Sequence, residues 1–88
     1  MTLDTPVVRA ETAISTEIDG ELVALDVTKG VCYGLNRMGT RIWNLVDIPR
    51  SARQVAEMLI PEFDVPPEVC QEQTLELLRE LAAAELVR

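Results

Sequence analysis

Apolar and polar side chains alternate with a period of two through the first part of the chain, which is typical of β-strands. Three such runs are found, at residues 12–18, 21–27 and 31–35. Asp19 and Gly20 separate the first two runs, and Asp-Gly between strands is a strong signal for a two-residue hairpin turn. A second turn is predicted at Lys29 and Gly30. The pattern therefore predicts a three-stranded antiparallel meander, whose third strand is an edge with unpaired backbone groups.

The alternation also divides the strand residues between the two faces of the sheet. One face of the first run is β-branched throughout: Thr12, Ile14, Thr16 and Ile18. In the second run, one face carries Val23, Leu25 and Val27, and the other carries Ala24 and Asp26.

Gly34 lies inside an otherwise favourable strand. Glycine weakens a strand, but it also lets another backbone approach closely. Two interpretations stay open at this stage. Gly34 marks either a bulge or helix-packing gap, or a strand edge that accepts a peptide as an added strand.

After Leu35 the apolar spacing changes to about 3.6 residues, the period of an amphipathic helix. Asn36 is placed to cap a first helix, and Ser51 begins a capping box that opens a second. Pro67 fits the first turn of a third helix. The predicted helices cover residues 37–47, 51–61 and 67–85. The order β-β-β-α-α-α predicts a winged-helix-like α+β domain.

Helical spacing also predicts which side chains form the core. The expected core residues of the first two helices are Met38, Ile42, Trp43, Leu45, Val46, Val55, Ala56 and Leu59. Leu86 and Val87 are expected to pack the end of the third helix back on the body.

The third helix carries an apolar arc that spans nearly half of its circumference. The residues of this arc are Cys70, Thr74, Leu75, Leu77, Leu78, Leu81 and Ala82. A helix resting on one small sheet needs a stripe of only roughly 100°. The surplus either packs on the other two helices or lines a groove.

The chain has 88 residues, enough for one small domain. We expect a flexible lead-in over residues 1–11 and a single domain over 12–88. No run approaches 18 consecutive apolar residues, so no membrane span is predicted, and residues 1–11 show no export signal.

The ionisable residues argue against several functions. There are 15 acidic and 8 basic residues and no histidine, for a net charge of −7. A general nucleic-acid binder needs excess Lys and Arg. Without histidine, the usual general base and zinc ligand are missing, and the four glycines are too dispersed for a phosphate loop. A binding module without metal or cofactor is therefore favoured over an enzyme acting alone.

Charge is also unevenly distributed along the chain. Residues 37–53 hold four arginines and one aspartate, a net charge of +3, whereas residues 57–88 hold eight acids and two arginines, a net charge of −6. A winged-helix DNA reader would place its later helix in the major groove. Glutamates on that helix would repel phosphate, which disfavours DNA binding.

Cys32 and Cys70 are 38 positions apart, which is typical neither of a disulfide framework nor of a metal knuckle. We interpret both as buried thiols that act as small hydrophobic residues, in a reducing cytoplasm.

Residues 30–45, GVCYGLNRMGTRIWNL, resemble the pattern G-x-x-Y-x-L-N-x-x-G-x-x-I-W-x-L of PqqD-like proteins, the RiPP recognition elements. Residues 78–88 resemble the family ending L-x-x-L-x-x-x-G-L-V. Glu85 stands where the family usually has Gly, and Gln73 stands where many members have Asp. The resemblance covers about residues 20–88.

The resemblance implies a bacterial, non-enzymatic chaperone that binds the leader segment of a ribosomally made precursor peptide. The leader would add as a strand to the third strand, lie against the third helix and be presented to a maturation enzyme. The implied peptide-binding residues are Val31, Cys32, Tyr33, Gly34, Leu35, Cys70, Gln73, Leu77 and Glu80. Leu77 is expected to face the groove and Leu78 the core. Without peptide, the open strand is expected to pair with another copy in a homodimer.

The length and the stretch Phe63-Asp64-Val65 with Cys70 look most like lasso-peptide members. The partner would then be a leader peptidase, followed by an ATP-dependent cyclase. The alternative is the pyrroloquinoline quinone pathway, with a radical enzyme as partner. A second alternative is a winged-helix DNA-binding regulator.

Overall fold

The computed structural model describes all 88 residues as a three-stranded sheet followed by three helices. The strands are β1 (Ile14–Ile18), β2 (Glu21–Asp26) and β3 (Val31–Leu35). The helices are α1 (Arg37–Leu45), α2 (Ala52–Phe63) and α3 (Pro67–Ala83). The sheet is antiparallel in the order β1-β2-β3. The predicted fold class and element order are confirmed.

The two hairpin turns form where glycine and aspartate predict them. Asp19 and Gly20 both have positive φ, 54° and 80°, as a two-residue type I′ turn requires. In the second turn, the Asp26 carboxylate accepts hydrogen bonds from the backbone N–H groups of Thr28 (3.0 Å) and Lys29 (3.2 Å). The Thr12 hydroxyl donates to the other oxygen of the same carboxylate. Asp26 therefore fixes the start of β3.

The helices cover only one face of the sheet. On this inner face, Leu22, Ala24 and Asp26 of β2 are buried. The more apolar set of β2, Val23 and Leu25, lies on the outer face and is only half-buried. Alternation thus separates the two faces correctly, but the helices cover the face that carries the less apolar residues of β2.

β1 is exposed along its whole length, since no helix packs on it and β2 is its only partner. The β1–β2 hairpin therefore projects from the body as a wing. Both β1 and β3 are edge strands.

The helix caps follow the sequence. The Asn36 side chain accepts from the N–H of Gly39 (2.9 Å), and Ser51 and Gln54 form a reciprocal capping box. The expected end of α2 at Pro61 is wrong, because the helix continues to Phe63. Pro61 is exposed, so water can solvate the backbone carbonyl that loses its N–H donor. Asp64 ends α2 in the left-handed conformation.

α3 ends in a Schellman motif. The N–H of Leu86 donates to the carbonyl of Leu81 (2.9 Å), and the N–H of Glu85 donates to that of Ala82 (3.0 Å). Glu85 has φ 60°, a left-handed conformation that glycine adopts without steric cost. The family's glycine position therefore keeps its geometry here with a glutamate in place.

A core of 17 apolar residues joins the inner face of the sheet to the three helices. Trp43 is fully buried at its centre, and Ile42, Leu45 and Val46 are buried with it, as predicted. Met38 is half-buried at the margin. No helix in the structure is long and apolar enough to span a bilayer.

The N-terminal segment is part of the fold, and the prediction of a flexible lead-in over residues 1–11 is wrong for residues 7–10. Val7 is buried and exchanges two backbone hydrogen bonds with Arg50 (2.8 and 3.0 Å). Arg9 bridges to Val87, and its guanidinium lies 5.5 Å from the centre of the Trp43 ring. Because Val87 is buried under this segment, the predicted packing of the C-terminal residues is confirmed.

Candidate functional site

An open cleft lies between the free edge of β3 and helix α3. No backbone–backbone hydrogen bond joins β3 to anything but β2. No Cα atom of α3 comes within 8 Å of a Cα atom in the sheet, whereas α1 approaches both β3 and α3. This β3–α3 cleft therefore combines unpaired strand backbone with a helical wall and has α1 as its floor.

One side-chain contact crosses the cleft. The Tyr33 hydroxyl of β3 donates a hydrogen bond to the Glu80 carboxylate of α3. This bond raises the pKa of Tyr33 above its usual range, and partial burial and the negative charge of Glu80 act in the same direction.

A cavity of about 290 Å³ opens where α1 and α3 meet. It is lined by Asn36, Met38, Gly39, Ile42, Gln73, Glu76, Leu77 and Glu80. A Cβ atom on Gly39 would lie 3.2 Å from Leu35 Cδ2 and 3.3 Å from Leu77 Cδ2. The missing side chain of Gly39 therefore lets β3, α1 and α3 converge at this point.

Three of the predicted site residues meet in this cavity: Gln73, Leu77 and Glu80. Their spacing places them on one side of α3. Leu77 is half-buried whereas Leu78 is fully buried, so the orientation of the two leucines agrees with the helical projection. Tyr33 joins this group through Glu80, and Val31 lies half-buried on the inner face of β3.

Cys70 does not belong to the cleft, and its prediction as a groove residue is wrong. Its side chain is fully buried, and its thiol lies 3.7 Å from the carbonyl of Ala56 on α2. Burial raises the pKa of this thiol. Leu35 is also enclosed in the core, with 4% of its surface exposed.

Cys32 and Gly34 lie on the outer face of β3. Cys32 pairs with Leu25 and is exposed, so the prediction of a buried thiol is wrong for this residue. The reason is that no helix covers the outer face. Gly34 pairs with Val23, and a Cβ atom added to Gly34 would meet nothing within 4 Å. The close approach that Gly34 permits is therefore from the outer face.

Sequence reasoning did not select five of the lining residues: Asn36, Met38, Gly39, Ile42 and Glu76. Asn36, Gly39 and Ile42 are fixed positions of the family pattern, so the signal was present. In the sequence, Asn36 is a helix cap and Gly39 a helix residue. Their location beside α3 arises only in the tertiary fold, so the sequence did not mark them as site residues.

The arginines of residues 37–53 are largely engaged within the molecule. Arg41 pairs with Glu62 (3.0 Å), Arg53 with Asp4 (2.8 Å) and Arg50 with Asp47 (3.3 Å). Arg37 has no carboxylate oxygen within 4 Å. Together with the glutamates on α3, this pairing leaves little cationic surface for phosphate. No group of three or more His, Cys, Asp or Glu side chains is placed to hold a metal ion.

The fold and the cleft define a small winged-helix-like α+β domain with an open strand edge beside a helical wall. A family model described as "Coenzyme PQQ synthesis protein D (PqqD)" matches residues 21–87, and the chain belongs to this family. The resemblance stated from the sequence is thereby confirmed.

Two solved structures share the fold over almost the whole chain. One, described as TbiB1 in complex with the TbiA(beta) leader peptide, is 27% identical, with a TM-score of 0.83 over 92% of this chain and 94% of that one. Another, described as lasso peptide synthetase B1 complexed with the leader peptide, is 20% identical, with a TM-score of 0.80 over 93% of this chain and 96% of that one. No curated protein sequence gives a significant match.

Proposed function

We propose that this chain binds the leader segment of a ribosomally synthesised precursor peptide in the β3–α3 cleft and delivers the precursor to a maturation enzyme without catalysing a reaction itself. The observation that carries the proposal is the unpaired edge of β3 beside a cavity in the cleft. The two similar structures described above, both complexes with leader peptides, support it.

The leader adds as a fourth strand at β3. The free edge of β1 offers the same backbone groups, but nothing flanks it, since all five residues of β1 are exposed. At β3, hydrogen bonds to the strand backbone fix the register of the leader, and the neighbouring cavity selects among leader side chains. An apolar leader side chain seated there lies against Met38, Ile42 and Leu77.

The pathway that fits best is lasso-peptide maturation, with a leader peptidase as the enzyme, because one of the two similar structures is described as a lasso peptide synthetase B1 complexed with the leader peptide. The alternative, a precursor of pyrroloquinoline quinone and a radical enzyme, is favoured by the description of the family model. DNA binding has little support, since three of the four arginines in residues 37–53 are paired with acids and α3 is acidic. We place the protein in the bacterial cytoplasm, where its two free thiols would stay reduced.

The first experiment is a calorimetric titration with the leader of the precursor peptide encoded near the gene. We expect saturable binding that Leu77→Ala weakens by about tenfold, which corresponds to about 1.4 kcal/mol. Leu75→Ala is the matched control, because Leu75 is also half-buried but lies about 160° away around α3. Absence of binding, or equal losses in the two variants, would contradict the proposal.

Strand addition is tested with leader peptides that carry an N-methyl group at one backbone amide at a time. In a paired strand, only alternate N–H groups face the neighbouring strand. We therefore expect affinity losses with a period of two along the segment that pairs with β3. Uniform tolerance of N-methylation would show that the leader binds without joining the sheet.

A further inference from the structure

One hydrogen bond crosses the middle of the β3–α3 cleft from wall to wall. Tyr33 is the third of the five residues of β3, and its hydroxyl donates to the Glu80 carboxylate of α3. No other hydrogen bond joins these two elements. Tyr33 pairs with Ala24, which is buried on the inner face of the sheet, so the ring of Tyr33 stands on that face as well. Its side chain therefore crosses the space that an added strand has to enter.

The contacts along the cleft show how β3 and α3 run past each other. Before β3, Lys29 Nζ donates to the carbonyl of Glu85, just after α3 (3.2 Å). In the middle of the strand, Tyr33 meets Glu80. Beyond the last residue of β3, Asn36 lines the cavity between α1 and α3. The two elements are therefore antiparallel, and a strand that pairs along all of β3 cannot bypass the bond between Tyr33 and Glu80.

We propose that the bond between Tyr33 and Glu80 is a latch across the empty cleft, which the leader must break in order to bind. This inference rests on the proposed function. An added strand lies about 4.8 Å from β3, and the Cβ atom of its residue opposite Tyr33 lies about 5 Å from that of Tyr33. Because that residue would occupy the line from Tyr33 to Glu80, the latch and the added strand exclude each other.

Both partners of the latch can separate at low cost. The carboxylate of Glu80 takes part in no ion pair, and its side chain is exposed. Tyr33 is half-buried, so water can reach its hydroxyl once the bond breaks. A hydrogen bond in such surroundings changes an equilibrium constant about fivefold. The latch is therefore weak enough for a leader to open.

The latch sets a threshold for binding at the free edge of β3. An unpaired strand edge is a template for extended segments of many sequences, which leads to unwanted pairing. Every strand that adds at β3 has to break the latch, so its apparent affinity falls by the same factor. A segment held by backbone hydrogen bonds alone then stays largely unbound, whereas a leader whose side chain also fills the cavity still binds.

The latch also connects leader binding with the stability of the empty chain. The bond exists in the folded, empty chain and is absent from both the unfolded chain and the loaded chain. Removing it should therefore lower the equilibrium constant for folding and raise that for leader binding by the same factor. A contact that is merely structural would change the stability alone.

The test uses Tyr33→Phe, which removes the hydroxyl and keeps the ring. Leader affinity is measured by calorimetric titration with the leader of the precursor peptide encoded near the gene, and stability is measured by urea denaturation without peptide. We expect the leader to bind about fivefold more tightly and the folding equilibrium constant to fall by about the same factor. In a Glu80→Ala background, where no latch remains, Tyr33→Phe should change the affinity by less than about twofold.

The matched control background is Glu72→Ala. Glu72 is also an exposed acid of α3, but it does not bond to Tyr33. This background removes the same charge and keeps the latch, so Tyr33→Phe should there retain its gain in affinity of about fivefold.

Three results would overturn the latch while leaving leader binding intact as a function: an unchanged or weaker affinity in Tyr33→Phe, an equal gain in the Glu80→Ala background, or a gain in affinity without a loss of stability. A weaker affinity would show that the hydroxyl contacts the leader. Failure of both the wild type and Tyr33→Phe to bind leader would instead overturn the proposed function, on which the latch rests.

Discussion

Glu85 shows that a single residue can depart from its family pattern while the backbone keeps the family geometry. A non-glycine residue in the left-handed region costs about 1–2 kcal/mol through contact of its Cβ with the backbone. Its backbone nevertheless completes the Schellman motif of α3, and its carbonyl accepts from Lys29 Nζ (3.2 Å). The surrounding contacts therefore hold a strained residue in place.

We expect Glu85→Gly to raise the free energy of unfolding by about 1 kcal/mol, since glycine relieves the strain but adds entropy to the unfolded chain. The control is Ala83→Gly, an exposed position within the last turn of α3, which should lower stability by about 1 kcal/mol. Urea denaturation of both variants measures the difference. A destabilised Glu85→Gly protein would show that the glutamate side chain contributes more than its conformation costs.

Tyr33 gives a second prediction at this scale. Its pKa is raised first of all by the hydrogen bond to Glu80. Glu80→Ala should lower the pKa of Tyr33 toward its ordinary value of about 10, whereas Glu76→Ala, which removes a nearby acid without breaking that bond, should change it less. Absorbance titration at alkaline pH reads this directly, because the chain has one tyrosine.

The direction of the Tyr33 shift also sets its effect on stability. The folded state favours the protonated phenol, so the contribution is fully present below the pKa of the unfolded chain and is lost as pH rises through the higher pKa of the folded state. Equal pKa values of Tyr33 in Glu80→Ala and in the wild type would contradict the hydrogen bond across the cleft.

At the scale of secondary-structure elements, Asp26 links the N-terminal segment to the start of β3. The hydrogen bond from Thr12 is the main cause of the lowered pKa of this carboxyl. Backbone hydrogen bonds from Lys29 and Thr28 and the positive charge of Lys29 lower the pKa further. A lowered pKa stabilises the fold above the ordinary pKa of the carboxyl, and this stability is lost as pH falls through the pKa of the folded state.

We therefore expect the urea midpoint of the wild type to fall between neutral pH and about pH 3 more steeply than that of Asp26→Asn. Asn keeps the shape of the side chain and cannot titrate. Glu17→Gln is the control, because Glu17 is exposed on β1 and has no hydrogen-bond partner there that would be lost. Parallel pH profiles for the wild type and Asp26→Asn would show that Asp26 does not contribute to the acid sensitivity of the fold.

The elements themselves were predictable from local chemistry. Asp-Gly at the hairpin, the Ser51–Gln54 capping box and Pro67 each act within a few residues, so the sequence alone positions the turns and helix starts. The end of α2 was not predictable from Pro61, because the cost of a proline depends on whether its surroundings are exposed. The buried face of β2 was not predictable either, since the choice between Ala24 and Val23 depends on which face the helices cover.

The candidate site was predictable only in part, because some of its residues come together only through tertiary packing. Helical periodicity separates Leu77 from Leu78, because that contrast lies within one helix. It does not separate Cys70 from the cleft, since that depends on where α2 packs against α3. Gly39 is a site residue only because β3, α1 and α3 converge around it in the folded chain.

At the scale of the whole molecule, the N-terminal segment packs against the residues at the other end of the chain and covers the core there. Val7 and Val87 are both buried there, and backbone hydrogen bonds join Val8 to Arg88 (2.8 Å in each direction). Residues near the two ends of the chain therefore contribute to one cooperative unit, although the family match begins only at residue 21.

Val7→Ala should accordingly cost about 2 kcal/mol of stability, through loss of buried apolar surface and the space left behind. Val27→Ala is the matched control, since Val27 is 75% exposed, and it should change stability by less than about 0.5 kcal/mol. Thermal denaturation compares the two. Similar melting temperatures for both variants would mean that the N-terminal segment is dispensable for the fold.

The bond between Tyr33 and Glu80 also has a practical consequence. This chain has a single tryptophan, enclosed in the core, and a single tyrosine, which spans the cleft. The two chromophores therefore report on different events in one unlabelled sample. Tryptophan emission follows unfolding, whereas tyrosine absorbance, which shifts when the hydrogen bond to the carboxylate is lost, follows the arrival of a ligand that displaces Glu80. Folding and occupancy can thus be recorded separately in the same cuvette.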